Sequence, residues 1–334
     1  MRTLILGGTA WLGSYLAETA VARGHDVTCL ARGLGELPRG VAFVRADRTE
    51  AGAYAQVAEQ QWDAVFDVSR QPGQVRGAVQ ALRERTRHFV FVSSGNVYAD
   101  HRAPGQDESS PLLPALSGPV MESMASYGEA KVACEQHVLT AFGPDACLIA
   151  RVGLIGGPGD LFDRSVYWPH RLARPATANG AVLVPDSPAQ PTQVIDVRDL
   201  AAWLVEAGAA RVAGVFNATG ETLALADHLE VARQVAGHRG PLVRADPEWL
   251  LAQGVQPWMG PRSLPLWLTD SDWQGFNARA SDAARRAGLV TRPLAATLAD
   301  TLDWALTRDP GRSWVAGLST ADERALIAAW RARS

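Results

Sequence analysis

The chain has 334 residues, 47% hydrophobic and 20% charged, a composition typical of a globular protein longer than one average domain. Its formal net charge of −3 offers no basic footprint for a polyanion, so nucleic acid is not an expected partner. No apolar run reaches the roughly 18 residues that a membrane-spanning helix needs, so we expect no membrane partner.

The first half of the chain alternates predicted strands with predicted helices. Apolar runs predict strands at residues 2–6, 26–31, 41–46, 63–69, 88–94 and 146–152. Helical periodicity separates them at residues 11–24, near 50–60, at 72–86 and at 123–143. Apolar strands that alternate with amphipathic helices are typical of a parallel sheet covered on both faces. We therefore predict an α/β fold with a Rossmann-type doubly wound parallel sheet.

The second half is less regular. Residues 156–191 are rich in glycine and proline, and a strand followed by a helix returns at 192–208. A further strand is predicted at 214–219, and helices at 294–307 and 320–333. We predict a dinucleotide-binding domain and a smaller, partly inserted C-terminal substrate lobe. The predicted bounds are 1–155 with 192–237 for the domain, and 156–191 with 238–334 for the lobe.

Location and assembly leave only weak signals. The opening MRTLILGG predicts a strand and not a secretory signal. Cys29, Cys134 and Cys147 lie in apolar contexts without metal-ligand spacing, so we expect buried thiols, no metal site and a cytoplasmic location. The helices predicted at 72–86 and 123–143 could pair across a homodimer, or they could only pack on the sheet.

The stretch LILGGTAWLG, residues 4–13, connects the first predicted strand to the first predicted helix. Glycines here let the backbone approach a pyrophosphate, and the free N–H groups of a helix N-terminus favour an anion. Alanine at the central glycine position weakens the motif, and a plain strand-turn-helix connection is the alternative. The predicted phosphate-binding residues are Gly7, Gly8, Thr9, Ala10, Trp11, Leu12 and Gly13.

The end of the second predicted strand bears on the cofactor. NAD sites usually place an acid there to hold the ribose 2′-hydroxyl, but this chain has Arg32 and no acid. An arginine can hold a 2′-phosphate, so NADP(H) is favoured over NAD(H), unless Arg32 is only a solvated loop charge. After the third strand, Asp47 is placed to accept from the adenine amino group, with Arg48 flanking the ring. Asp47 could also cap the next helix.

The segment SYGEAKVACEQ contains Lys131, the only lysine among 32 basic residues, four positions after Tyr127. Residues i and i+4 share a face of a helix, so the two side chains point the same way. A neighbouring ammonium stabilises a phenolate and makes tyrosine a usable acid or base near neutral pH. A surface pair of unrelated side chains is the alternative. Ser94, at the end of the strand FVFVSS, can donate to a substrate carbonyl, with Ser93 as its rival.

These motifs together resemble the extended or atypical short-chain dehydrogenases/reductases, the group called the NAD-dependent epimerase/dehydratase family. The matching segments are GGTAWLG, ADR, WDAVFDVS, FVFVSSGNVYAD, SYGEAK, IARVGLIGGPGD, IDVRDLA and GVFNATGE, which span residues 4–221 in order. The resemblance implies a catalytic triad of Ser94, Tyr127 and Lys131. It also implies that Val68 and Ser69 flank the cofactor and that the stretch after Arg151, from Val152, approaches the nicotinamide amide.

Two departures from that family pattern concern the substrate. Members that act on nucleotide-sugars typically carry an asparagine where this chain has Gly153, and an arginine where it has Thr192. Both side chains usually grip the diphosphate. The resemblance without them favours a reductase that acts on a smaller or more apolar substrate.

The second lobe offers candidate substrate residues. The chain has eleven tryptophans, and several lie in the irregular stretches SVYWPHRLARP and QPWMGPRSLPLWL. Aromatic side chains with a few polar groups can line a pocket, although they could equally form the core of the lobe. His170 or Arg262 could bind an anionic group of the substrate. These candidates are Asn96, Trp168, Trp258, Arg262 and Trp267.

Three functions remain open at this point. The favoured one is an NADP-dependent oxidoreductase that transfers a hydride between the nicotinamide and a carbonyl or alcohol of a small metabolite. The second is a sugar epimerase or dehydratase that retains NAD and uses the same residues. The third is a non-catalytic protein that senses NADP(H) or binds RNA.

Overall fold

A computed structural model describes residues 1–35, 37–308 and 312–333. The strands are short, and most are three to six residues long. In chain order they are β1 Arg2–Leu6, β2 Asp26–Ala31, β3 Ala42–Arg45, β4 Ala64–Asp67, β5 Phe89–Ser94, β6 Cys147–Val152, β7 Leu154–Gly156, β8 Val182–Pro185, β9 Pro191–Asp196, β10 Gly214–Ala218, β11 Thr222–Ala224, β12 Leu242–Ala245, β13 Gln256–Trp258 and β14 Ser263–Pro265.

The helices cover both faces of the sheet and most of the second lobe. In chain order they are α1 Trp11–Ala22, α2 Ala55–Ala58, α3 Pro72–Leu82, α4 Tyr127–Phe142, α5 Tyr167–Ala173, α6 Val197–Ala210, α7 Leu225–Val235, α8 Pro247–Ala252, α9 Asp282–Arg286, α10 Leu294–Leu306 and α11 Thr320–Arg331. Among the described residues, none of these helices has the length and apolar character that a bilayer crossing requires.

The main sheet has seven strands in the order β10-β6-β5-β4-β1-β2-β3, and all its neighbours run parallel. This confirms the predicted Rossmann-type doubly wound α/β fold. The strand order reverses between β1 and β4, and in such sheets a crevice opens at that point, beyond the carboxyl ends of the strands. The loops after β1, β4, β5 and β6 therefore surround one crevice.

Alternate strand residues enter two separate cores, which is why most strand positions are apolar. Ile5 of β1 packs under α1 and α6, whereas Leu4 and Leu6 pack under α3 and α4. Helices α3 and α4 also contact each other along their length. A homodimer through these two helices stays a prediction. Cys29, Cys134 and Cys147 are buried free thiols, as predicted.

The second lobe is built from segments far apart in the chain. Strand β8 pairs in parallel with β12, and β7, β9 and β11 form a separate three-stranded sheet. The core of this lobe includes Trp168, Trp249 and Trp267. Pairing of β8 with β12 joins the inserted stretch to the C-terminal stretch. The bounds drawn for the two units in the sequence remain a prediction.

Candidate active site

The turn between β1 and α1 approaches its neighbours too closely for side chains. A Cβ on Gly13 would lie 2.2 Å from the carbonyl oxygen of Gly7, and Gly7 itself has φ +96°. Ala10, at the central position of the motif, is exposed and causes no such collision. Its N–H donates to the Gly7 carbonyl (2.9 Å). Alanine in place of glycine is therefore compatible with the turn.

The N-terminus of α1 has the character of an anion site. Within the described chain, no side chain caps this helix and its first turn holds no acidic residue. The first N–H groups of a helix have no partner inside the helix, and its dipole favours negative charge at that end. A dinucleotide pyrophosphate fits this site in shape and charge, with backbone N–H groups as its donors.

Side chains in the predicted phosphate loop are used for packing. Trp11 Nε1 donates to the carbonyl of Pro158 (2.8 Å), and the Tyr15 hydroxyl donates to the same oxygen (3.2 Å). Leu12 is buried in the core under α1. Trp11 and Leu12 can therefore offer only backbone groups to a phosphate. The Trp11 contact also fixes the loop after β7 beside the crevice.

The ends of β2 and β3 lie at the same edge of the sheet. Arg32 is exposed there. Asp47 accepts from the backbone N–H of Thr49 (3.0 Å) and from its hydroxyl (2.7 Å). These two bonds hold the pKa of Asp47 below its usual range, and Arg32 adds to the effect. Asp47 does not cap the next helix, because α2 begins only at residue 55 and its N-cap is Tyr54.

Arg48 has a role different from the predicted one. Its guanidinium forms two hydrogen bonds with Asp67, of 2.8 and 2.6 Å, and it also donates to the Tyr54 hydroxyl and to the Gln74 carbonyl. Both partners of the ion pair are buried. The expectation that Arg48 flanks an adenine ring is wrong, because its donors are taken up inside the protein. Asp67 Oδ1 also accepts from the Ser69 N–H (2.9 Å), so the pair shapes the turn after β4.

Lys131 lies at the carboxyl edge of the sheet, between the ends of β4 and β5. Its buried Nζ donates to the carbonyls of Ser69 and Val92, each at 2.6 Å. Val68, next to Ser69, touches the glycine turn, since a Cβ on Gly7 would lie 2.7 Å from Val68 Cγ2. An ammonium has three N–H donors, so one remains for a ligand in the crevice.

Tyr127 begins α4 directly beside the end of β5. A Cβ on Gly128 would lie 2.3 Å from the carbonyl oxygen of Asn96, so only glycine allows this approach. The hydroxyl of Ser94 donates to Asn96 Oδ1 (3.0 Å) and accepts from the Asn96 N–H (3.2 Å). The structure thus brings Ser94, Asn96 and Tyr127 together at the first turn of α4, one helical turn before Lys131.

Ser93, the rival of Ser94, belongs to a buried network between β5 and the middle of α4. Its hydroxyl donates to Glu135, and Glu135 forms an ion pair with Arg151 (2.8 Å). All three side chains are buried. The Ser93 hydroxyl is therefore committed within the protein, whereas Ser94 is the residue that faces the end of α4.

The positions that depart from nucleotide-sugar enzymes are closely packed. Gly153 follows Val152 at the end of β6, and a Cβ there would lie 3.0 Å from Thr219 Cγ2. Thr192 is buried, and its hydroxyl donates to the Leu223 carbonyl (3.1 Å). Neither position leaves room for the asparagine or arginine side chain without a shift of its neighbours.

Two predicted substrate tryptophans belong to the core instead. Trp168 and Trp267 are fully buried, and Trp168 Nε1 donates to the Pro265 carbonyl (2.8 Å). The expectation that they line a pocket is wrong, because aromatic residues in the irregular stretches pack against one another. Arg262 pairs with Asp322 of α11, and its contact with a substrate stays a prediction. His170 packs edge-on against Trp314, with the ring centres 5.0 Å apart.

Trp258 is the predicted aromatic residue that does lie near the site. It is half-buried and has φ +68°, a backbone conformation that is rare for a bulky residue. Arg164, which the sequence did not single out, lies over its ring, 5.5 Å from the ring centre. Burial lowers the pKa of Arg164, and Asp160 and the Tyr127 phenol offset part of that effect. The only local signal for Arg164 was a charge in a loop directly after the β6–β7 segment.

In the described part of the chain, no group of three or more histidine, cysteine, aspartate or glutamate side chains could hold a metal ion. The arrangement offers one ammonium, one phenol and one hydroxyl near the glycine turn between β1 and α1. Such a set can polarise a carbonyl and transfer a proton to its oxygen.

Two curated relatives match part of this chain. The 2′-dehydrokanamycin reductase of Streptomyces kanamyceticus is 29% identical over 199 residues, which cover 57% of this chain and 53% of the relative. The chloroplast stem-loop binding protein of 41 kDa b from Arabidopsis thaliana is 25% identical over 255 residues, which cover 71% of this chain and 63% of the relative. The matches thus span between half and two thirds of the relatives' own lengths.

Solved structures and a family model match more of the chain. The UDP-N-acetylglucosamine 4-epimerase of Bacillus cereus has a TM-score of 0.68 at 17% identity, covering 94% of this chain and 99% of that one, and so shares the fold. The model described as the NAD dependent epimerase/dehydratase family matches residues 3–80 and 75–218. This confirms the resemblance inferred from the motifs. The chain belongs to the NAD dependent epimerase/dehydratase family.

Proposed function

We propose that this protein is an NADP(H)-dependent reductase of the short-chain dehydrogenase type. It interconverts a carbonyl and an alcohol on a small metabolite that is not a nucleotide-sugar. The observation that carries the proposal is the placement of Lys131: its Nζ joins the Ser69 and Val92 carbonyls beside the glycine turn, one helical turn after Tyr127. Family membership supports a nicotinamide cofactor, and the reductase relative supports the direction of the chemistry.

The residues would divide the work as follows. When bound, the cofactor gives or takes the hydride. Ser94 donates its hydroxyl hydrogen to the substrate oxygen, and Tyr127 delivers the proton that accompanies reduction. Lys131 uses its remaining N–H to hold the ribose, one helical turn from the phenolate that proton delivery leaves on Tyr127. In the oxidative direction the same phenolate accepts the proton.

The cofactor would lie along the crevice from the glycine turn to the end of β6. The N–H groups of the first turn of α1, from Trp11 to Gly13, would face the pyrophosphate, and Val68, Ser69 and Val152 would border the nicotinamide half. Exposed Arg32 at the end of β2 supports a 2′-phosphate, as does the lack of an acid at that strand end. Asp47 remains a candidate for the adenine amino group.

Replacement of Tyr127 by phenylalanine tests the proposal. Tyr127→Phe keeps the ring but removes the proton, so turnover of a carbonyl substrate should fall by roughly two to four orders of magnitude while NADPH affinity stays within about twofold. Turnover is followed by NADPH oxidation on a panel of aldehydes, and affinity by fluorescence titration. Turnover by Tyr127→Phe at the wild-type rate would remove the proposed mechanism.

A retained-cofactor epimerase or dehydratase is the second candidate, because the UDP-sugar epimerase fold neighbour covers nearly the whole chain. The closely packed Gly153 and Thr192 argue against it. NAD that survives purification, with no net consumption of added NADPH, would favour it. A non-catalytic NADP(H)-sensing or RNA-binding role is the third, in view of the stem-loop binding relative. RNA affinity unchanged in Tyr127→Phe, without redox activity, would favour that role.

A further inference from the structure

Arg164 is held in place by the loop that follows β7. Asp160, which is buried, accepts from the backbone N–H groups of Phe162 and Ser165, both at 2.9 Å, and from the Ser165 hydroxyl at 2.8 Å. The Trp11 and Tyr15 bonds to Pro158 fix the start of the same loop on α1. Arg164 is therefore presented by an ordered segment attached to the glycine turn.

The guanidinium of Arg164 lacks the acceptors that a half-buried cation normally has. Its Nε is buried without a hydrogen-bond partner, and among the described residues it forms no ion pair with a carboxylate. Burial lowers its pKa, and Asp160 and Tyr127 offset only part of that effect. The Asp160 oxygens are already taken by the loop. A cation in this state would gain from an anion brought by a ligand.

Two aromatic rings border the guanidinium of Arg164. Its guanidinium lies 5.4 Å from the centre of the Phe162 ring and 5.5 Å from that of Trp258. Trp258 is held in its unusual backbone conformation by a hydrogen bond from its N–H to the Trp267 carbonyl (3.0 Å). Aromatic faces on a guanidinium leave its edge free for a carboxylate or a phosphate. The Tyr127 phenol interacts with the same charge.

We infer that Arg164 binds an anionic group, a carboxylate or a phosphate, on the substrate of the proposed reductase. The inference rests on the proposed function, because it takes the bound anion to be part of the substrate. Binding of an anion to Arg164 can nevertheless be tested without turnover. It assigns to Arg164 the role that the sequence gave to Arg262 or His170. The substrate would then carry two groups: a carbonyl that reaches Tyr127, and a carboxylate or phosphate that reaches Arg164.

Binding of small aromatic anions tests the site directly. Benzoate and phenyl phosphate are titrated calorimetrically into the NADPH-loaded wild type, Arg164→Gln, Arg164→Lys and Tyr127→Phe. Arg244→Gln, an exposed arginine of β12, is the matched control. Arg164→Gln should weaken binding about ten- to a hundredfold, since charge-assisted bonds are lost, while Arg164→Lys keeps part of the affinity. Tyr127→Phe and the control should bind as the wild type does. Tighter binding of benzoate would identify the group as a carboxylate, and tighter binding of phenyl phosphate would identify it as a phosphate.

Turnover of matched aldehydes separates this inference from the proposed function. Benzaldehyde, 4-carboxybenzaldehyde and 4-formylphenyl phosphate differ only in the anion. Arg164→Gln should lower kcat/KM for the anionic probes, mainly through KM, and leave benzaldehyde within about twofold. Arg164-dependent anion binding without any aldehyde turnover supports the site and defeats the reductase. Wild-type affinity for both anions in Arg164→Gln, or turnover without anion preference, overturns the site and leaves the reductase standing.

Discussion

Gly128→Ala perturbs the point at which α4 meets the end of β5. The added Cβ would lie 2.3 Å from the Asn96 carbonyl oxygen and 2.5 Å from Leu113 Cδ1, whereas ordinary contacts begin at 3.4 Å. Leu113 can rotate away, but the carbonyl belongs to the backbone turn that also carries Ser94. Relief of the overlap requires α4 and this turn to separate by about 1 Å. Tyr127 moves with α4, and Ser94 stays with the sheet.

A displacement of that size should lower turnover about a hundredfold, because proton transfer depends on near-contact geometry. Alanine is favoured over glycine inside a helix by about 1 kcal/mol, so a weakened helix cannot explain a loss of activity. NADPH affinity should fall much less than turnover, since Lys131 moves with α4 but the glycine turn and the N-terminus of α1 stay in place. The assay is NADPH oxidation with the aldehyde panel, together with a fluorescence titration of the cofactor.

Gly118→Ala is the matched control, because the nearest atom to its added Cβ is the Val120 carbonyl oxygen at 4.0 Å. It should keep wild-type turnover. Wild-type turnover in Gly128→Ala as well would refute the reasoning, since the close approach of α4 to Asn96 would then have no bearing on the chemistry.

Two further predictions concern the cofactor and the pH dependence of stability. Arg32→Ala should weaken NADPH binding about tenfold and leave NADH binding within about twofold in parallel titrations; equal losses for both cofactors would contradict a 2′-phosphate contact. Burial lowers the pKa of His228 from 6.5 to about 4. As the pH drops below about 6.5, the imidazole of His228 is protonated in the unfolded chain but stays neutral in the folded one. The free energy of unfolding should therefore fall by about 3 kcal/mol between about pH 6.5 and about pH 4. In urea unfolding at a series of pH values, His228→Gln should lose this pH-dependent decrease in the free energy of unfolding. An unchanged pH dependence would exclude His228 as its source.

The sheet could be predicted because its signal is local. Most positions of each central strand are apolar, since alternate residues enter two cores, as Leu4 and Ile5 do on β1. The helices between them carry their own periodicity. Tyr127 and Lys131 could be paired for the same reason, because four residues along one helix fix their common face. These features need no knowledge of distant residues.

The features that escaped prediction depend on partners far along the chain. Arg48 looked free for an adenine ring because its partner, Asp67, lies nineteen positions away. Pairing of β8 with β12 has no local marker, and it decides that Trp168 and Trp267 are core. A tryptophan in the core and a tryptophan that faces a ligand look the same in the sequence. The environment of Arg164 likewise depends on Trp258, a distant residue that only folding brings close.

The single lysine of this chain follows from the shape of its acceptors. Arg48 and Arg151 each meet a carboxylate, and the planar guanidinium fork matches the two oxygens of such a group. Lys131 meets two single carbonyls from neighbouring segments, with the Phe91 ring centre 4.6 Å from its Nζ. The three N–H bonds of an ammonium diverge tetrahedrally, so two can reach these carbonyls while the third points elsewhere. The guanidinium of an arginine is planar and wider, so it is poorly shaped to reach both carbonyls and a ligand from the buried position of Lys131. A chain that otherwise uses arginine therefore needs lysine where two backbone acceptors and a ligand share one cation.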